Sequence, residues 1–142
     1  MKNKYLLSLL WVIVSGFGIL MAQEIAIIPQ PAHLIVKNES FKFGKQLKVC
    51  IASYRGDSVT LVFDSFKDDF QKATGIKVTS VRSEAKAGIV LSVNQTLAPE
   101  AYKLDVSPKQ IRIEAARPAG FYYALQTLKQ LISRHVMRLC KK

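Results

Sequence analysis

Three features of the sequence predict an α+β fold: a small mixed β-sheet with two α-helices packed on one face. Asp57–Thr74 and 118–132 repeat apolar residues with a helical period. Shorter stretches before and between them alternate apolar and polar residues, as half-buried strands do. Each helical stripe is apolar on one side only, so each helix needs a flat apolar surface, which one shared sheet supplies.

In chain order, "IIPQPAHL" comes first. Pro29 and Pro31 lack the N–H that a central strand needs, so the segment reads as an extended lead-in. "HLIVKNESFKFGKQLKVCIA" reads as short strands, with turns at Asn38-Glu39 and Gly44-Lys45. The period then changes. Val59, Val62, Phe63, Phe66 and Phe70 share one helical face, and Asp64, Lys67, Asp68 and Lys72 take the other. Asp57 or Ser58 suits the helix start, and Gly75 stands where a glycine stop belongs. Strands return in "GIKVTSV", "AGIVLSV", "AYKLDVS" and "KQIRIEA"; the continuous run Ile89, Val90, Leu91 marks a central strand. Ile111, Ile113 and Ala115 face one way, Arg112 and Glu114 the other. Pro118 fits a first helical turn. Phe121, Ala124, Leu125, Leu128 and Ile132 then mark the buried stripe of the second helix.

The chain has 142 residues, enough for one domain with a real core. Residues 1–22 read as a secretory signal peptide: Lys2 and Lys4, an apolar run Leu6–Val14, and Ala22 before a cut at Gln23. Tyr5–Ala22 is just long enough to cross a membrane, but Ser15, Gly16 and Gly18 interrupt it and favour cleavage. No membrane span is expected to remain, so the protein reads as exported, periplasmic or extracellular. Residues 23–133 form the domain and 134–142 a basic tail. Net charge is +11, from 21 basic and 10 acidic residues. Part of the excess is terminal, in Lys2, Lys4, Arg134, Arg138, Lys141 and Lys142. The remaining lysines stand singly rather than clustered with aromatics, so a nucleic-acid partner is not expected. Cys50 lies in an apolar strand and Cys140 in the tail, which favours a buried thiol over a disulfide.

Most signatures of chemistry are missing. His33 and His135 are far apart, and there is no HExxH, P-loop, GxGxxG or GxSxG. Asp68-Asp69 is the sole acidic pair. Neighbours on a helix diverge by about 100°, so the two carboxyls do not converge on one atom. Tyr122 and Tyr123 could stack on a sugar or base, but aromatics one turn into a helix more often serve packing. Arg117 sits at a helix N-terminus, where a cation needs a partner carboxylate. "NES" at Asn38 and "NQT" at Asn94 match the glycosylation sequon, which matters only in a eukaryotic secretory route. No catalytic residue, metal ligand or cofactor is assigned.

The chain resembles a known family. Pro29 and Pro31 match a Pro-x-Pro near the mature start; Tyr102, Leu104 and Val106 match one strand, and Ile111, Ile113 and Ala115 another. Ala119, Gly120, Tyr123, Gln126, Thr127, Leu128, Gln130 and Leu131 match a longer pattern, Ala-Gly-x-x-Tyr-x-x-Gln-Thr-Leu-x-Gln-Leu. Over roughly residues 24 to 132 it is similar to the N-terminal, non-catalytic domain of family 20 glycoside hydrolases, the bacterial β-N-acetylhexosaminidases. The resemblance implies a zincin-like fold without zinc. It also implies an intramolecular partner, a (β/α)8 barrel that removes terminal N-acetyl-hexosamines from glycans. In that family the substrate's acetamido oxygen is the nucleophile, oriented by an adjacent Asp-Glu pair in the barrel. This sequence contains no Asp-Glu dipeptide, so no catalytic role is carried over. The expectation is a front domain whose barrel is missing from this chain and which is inactive alone.

Two other readings remain. An active hydrolase needs two convergent carboxyls, and the spacing offers none. An exported basic module for glycans or polyanions would show salt-dependent retention on heparin or DNA.

Overall fold

A computed structural model describes residues 27, 31–36, 40–52 and 57–139, with Asp57 and 133–139 by their backbone alone. The expected signal peptide, Pro29, the Asn38-Glu39 turn and Cys140 lie outside the described residues, as do the side chains of the basic tail.

Five strands form one mixed sheet. They are β1 (Gln46–Ala52), β2 (Lys77–Ser80), β3 (Ile89–Val93), β4 (Tyr102–Val106) and β5 (Ile111–Ala115), in the order β2-β1-β3-β5-β4. β1 pairs in parallel with β2 and β3, and β3 in parallel with β5. β4 is antiparallel to β5 and forms one edge. Helix α1 (Asp57–Thr74) joins β1 to β2, and helix α2 (Pro118–Leu139) follows β5.

The alternation of each strand decides its two faces. Leu47, Val49, Val78, Ile89, Leu91, Ile111, Ile113 and Ala115 are buried in one core with Val59, Phe63, Phe66 and Phe70 of α1. Phe121, Ala124, Leu125, Leu128 and Ile132 of α2 join the same core. Both helices therefore lie on one face of the sheet. Val62, expected on the buried stripe, is only half-buried at its margin. A fully buried Phe or Leu contributes about 1.5–3 kcal/mol, so this single core dominates stability.

The segment before β1 differs from expectation. Residues 31–36 and 40–44 form no strand, and Ile35 is 82% exposed. Phe41 and Phe43 do share a side, as alternation required, and both pack at the core margin. Their rings meet at 5.0 Å, and Phe43 meets Phe70 at 5.5 Å. Alternation there records burial of side chains and not ladder pairing, because period two measures only which way side chains point.

Gly75 ends α1 at φ 70°, where its N–H takes the carbonyl of Gln71 at 2.9 Å. This is the left-handed glycine stop the sequence predicts. One residue on, the chain enters β2, and the Val78 N–H donates to Gln71 Oε1 at 2.8 Å.

Candidate domain interface

The residues that could carry function fall on two surfaces, one on each side of the sheet. The surface away from the helices is polar. Asp105 stands opposite Arg112 and Lys103 opposite Glu114 in the β4–β5 register, so each carboxylate faces a cation. Arg112 also lies 3.5 Å from Glu84. Asn94 donates through Nδ2 to Glu114 Oε2 at 2.9 Å. Its Oδ1 accepts the backbone N–H and hydroxyl of Thr96. The Asn94 side chain is thus engaged in a turn and a strand contact.

A short 3₁₀ turn, Glu84–Lys86, covers the centre of this polar face. Gln110 pins it by donating from Nε2 to the carbonyls of Glu84 and Ala87, at 2.9 and 3.0 Å. Beneath it Cys50, Ala87 and Val90 form a small second cluster. Cys50 is a free, buried thiol whose Sγ donates to the Arg82 carbonyl at 3.5 Å. Burial pushes that thiol above its ordinary pKa, and the Glu84 carboxylate adds to the effect. A thiol held protonated is a poor nucleophile, so Cys50 is packing.

The second surface is the outer side of the two helices. Asp68 is exposed, while Asp69 receives the Lys129 ammonium of α2 at 2.6 Å. The expected acidic pair is thus split by the turn of the helix, one carboxyl in solvent and one bridging to α2. Hydrogen bonding from Lys129, then its charge, lowers the Asp69 pKa. A depressed carboxyl pKa stabilises the fold above the unfolded value, and that contribution is lost as pH falls through the folded value. Lys129→Ala should therefore move the Asp69 titration upward toward the ordinary carboxylate range. Carbon-detected NMR of the Asp69 carboxyl checks this, and an unchanged midpoint would break the pairing.

Tyr122 and Tyr123 are exposed on α2, with ring centroids 5.7 Å apart in an edge-on arrangement. The sequence favoured core or interface for them; they are not core. Arg117 precedes the helix, and its carbonyl accepts the Phe121 N–H at 3.4 Å. Its side chain is exposed and makes no ion pair among the described residues. His33 is exposed in the lead-in segment, and the His135 side chain lies outside the described residues.

Two residues hold this helix against the sheet in ways the apolar pattern does not reveal. The Tyr102 hydroxyl meets Thr127 Oγ1 at 2.7 Å, joining edge strand β4 to α2. Gly120 is buried, and a Cβ there would lie 2.5 Å from the Ala101 carbonyl oxygen. Glycine lets the first turn of α2 press directly on the chain entering β4.

Among the described residues an open, shallow depression is lined by Gln71, Gly75, Ile76 and Lys77. The described residues bring together no group of three metal-ligating side chains. None of their helices is long and apolar enough to cross a membrane.

The model of glycosyl hydrolase family 20, domain 2, matches residues 24–139. A β-hexosaminidase of Vibrio furnissii is 28% identical over 111 residues, which cover 78% of this chain and 17% of that protein. Among solved structures, the GH20 exo-β-N-acetylglucosaminidase of Vibrio harveyi, in complex with N-acetylglucosamine, superimposes with a TM-score of 0.62 at 34% identity. The match covers 72% of this chain and 15% of that one. The β-N-acetylhexosaminidase of Bacteroides fragilis gives 0.60 at 25% identity, over 73% of this chain and 20% of its own. This chain therefore spans a fifth or less of the length of these relatives.

Proposed function

Because this chain belongs to the domain 2 family of glycosyl hydrolase family 20, we propose that it is the accessory, non-catalytic domain of an exported β-N-acetylhexosaminidase. The reaction of such an enzyme, removal of terminal N-acetyl-hexosamines from glycans, belongs to a catalytic barrel and not to this fold. The observation that carries the reading is where the carboxylates stand. Asp105 and Glu114 each face a cation across the β4–β5 ladder. Asp69 is bound to Lys129, and Glu84 lies beside Arg112. Glycoside hydrolysis needs an acid on the leaving oxygen and a stabiliser for the oxocarbenium-like charge on the same sugar. Carboxylates that face cations and are divided between the two sides of a sheet supply neither.

Export rests on the N-terminal sequence of Lys2, Lys4 and the apolar run before Gln23. The interleaved charges of the polar face support an accessory domain over a polyanion-binding module, because a basic patch needs cations without neighbouring acids. The test is incubation of the chain at high concentration with a chromogenic N-acetylglucosaminide. The expected result is no product above the buffer blank. Product that disappears on mutating one carboxylate of this chain would overturn the reading.

A further inference from the structure

β4 is the last strand on its side of the sheet, and the ladder fixes which way its backbone groups point. In β5 the Ile111 N–H donates to the Gly88 carbonyl, and the Ala115 carbonyl accepts the Asn94 N–H, both toward β3. Backbone groups alternate along a strand, so those of Arg112 and Glu114 turn toward β4, where they stand opposite Asp105 and Lys103. The N–H and C=O groups of Tyr102, Leu104 and Val106 therefore point out of the sheet. Among the described residues no backbone partner meets them. The side chains alternate too. Tyr102, Leu104 and Val106 are half-buried at the margin of the core, on the helix side, while Lys103 and Asp105 are exposed on the polar face.

We infer that β4 is a self-pairing edge: it joins antiparallel to β4 of a second copy of this chain, across a twofold axis at Leu104. Three observations select this occupant. The first is parity. Opposed residues of an antiparallel pair exchange two hydrogen bonds where their backbone groups turn toward each other. With the axis at Leu104, Leu104 meets Leu104 of the second copy and Tyr102 meets Val106, so every outward group of the strand gains a partner. The second is charge. The same register sets Lys103 of each chain opposite Asp105 of the other. Within each chain Lys103 already faces Glu114, and Asp105 faces Arg112. Across the joined sheets each row then runs Glu114, Lys103, Asp105, Arg112, alternating in sign throughout. Opposite charges directly opposed stabilise a strand pair, and like charges destabilise it. An axis at Tyr102 or Val106 would shorten the overlap and set Lys103 against Ala101 or Asp105 against Ser107. The third is the apolar side, where Tyr102 against Val106 and Leu104 against Leu104 cover surface that one chain leaves half-open. A twofold contact requires a patch that complements itself, and the order Tyr-Lys-Leu-Asp-Val does so. The inference goes beyond the accessory-domain reading and stands independently of it.

Sedimentation equilibrium of the full chain, carried to millimolar concentration, reads the association, because a single strand pair buries less than a standard interface and binds weakly. The expected result is a monomer–dimer equilibrium. Lys103→Glu alone or Asp105→Lys alone should weaken the dimer at least tenfold, since each places like charges across the axis twice. An equimolar mixture of the two variants should recover it, because every charge then meets its opposite, and recovery shows that both variants are folded. Amide exchange by NMR gives a second reading in the unaltered chain: the Leu104 N–H should be protected at high concentration and exchange freely on dilution. Where a variant fails to fold, that amide decides alone. A chain that stays monomeric overturns the proposal. So does a dimer indifferent to both reversals, a mixture of folded variants that fails to recover it, or a Leu104 amide left unprotected in the dimer.

Discussion

Gly120→Val should destabilise the chain clearly and lower its urea midpoint. Even a single added carbon would sit 2.5 Å from the Ala101 carbonyl oxygen and 2.9 Å from the Ala115 Cβ. Both obstacles are backbone or the first atom of a side chain, so no rotamer change relieves them. The first turn of α2 must lift away from the junction of β4 and β5. That shift also strains the contact of Tyr102 with Thr127, at 2.7 Å, and the seating of Phe121 next door, which is 1% exposed. Overpacking in cores costs about 1–3 kcal/mol where neighbours can adjust, and more where they cannot. A domain of this size has a total stability of only about 5–15 kcal/mol. Circular dichroism with urea titration reads the result; a midpoint within error of the parent would mean that the turn is loose.

Leu125→Ala tests the centre of the same contact. Leu125 is 1% exposed and belongs to the core that both helices share with the sheet. Its removal leaves a void between layers that close-packed neighbours fill only in part. The expected loss is about 2–5 kcal/mol. The urea midpoint should fall with the slope unchanged, because the same surface is exposed on unfolding. An unaltered midpoint would place α2 off the sheet.

Both predictions concern residues that the sequence marks openly, and that shows which part of the fold was legible. A helix that rests on a sheet must repeat apolar residues at its own period, so Phe63, Phe66 and Phe70, or Phe121, Leu125 and Leu128, declare the buried face before any contact is known. Gly75 was legible for a related reason: only a left-handed residue ends a helix in that way, and glycine is the residue that tolerates it. The stretch around Phe41 and Phe43 was misread as strand because alternation reports side-chain direction and says nothing of hydrogen-bond partners.

The candidate interface was less legible. The sequence singled out Tyr122, Tyr123 and Arg117 but gave no sign that Lys129 beside them meets Asp69, sixty positions earlier in the chain. The polar cover of Cys50 was equally hidden. It needs Gln110 to reach Glu84 and Ala87, and no local period encodes such a contact between distant turns.

The bond from Val78 to Gln71 has a consequence of another kind. The neighbouring Val81 N–H points inward to the Val49 carbonyl, so by strand alternation the Val78 N–H points outward, away from β1. An outward N–H on the last strand of a sheet is a template for any extended chain that passes, and such templating is how sheets grow into polymers. Here the position is already taken by a side-chain amide at 2.8 Å. Gln71 thus mimics one rung of an absent neighbour, and an incoming chain must displace it before it can pair there.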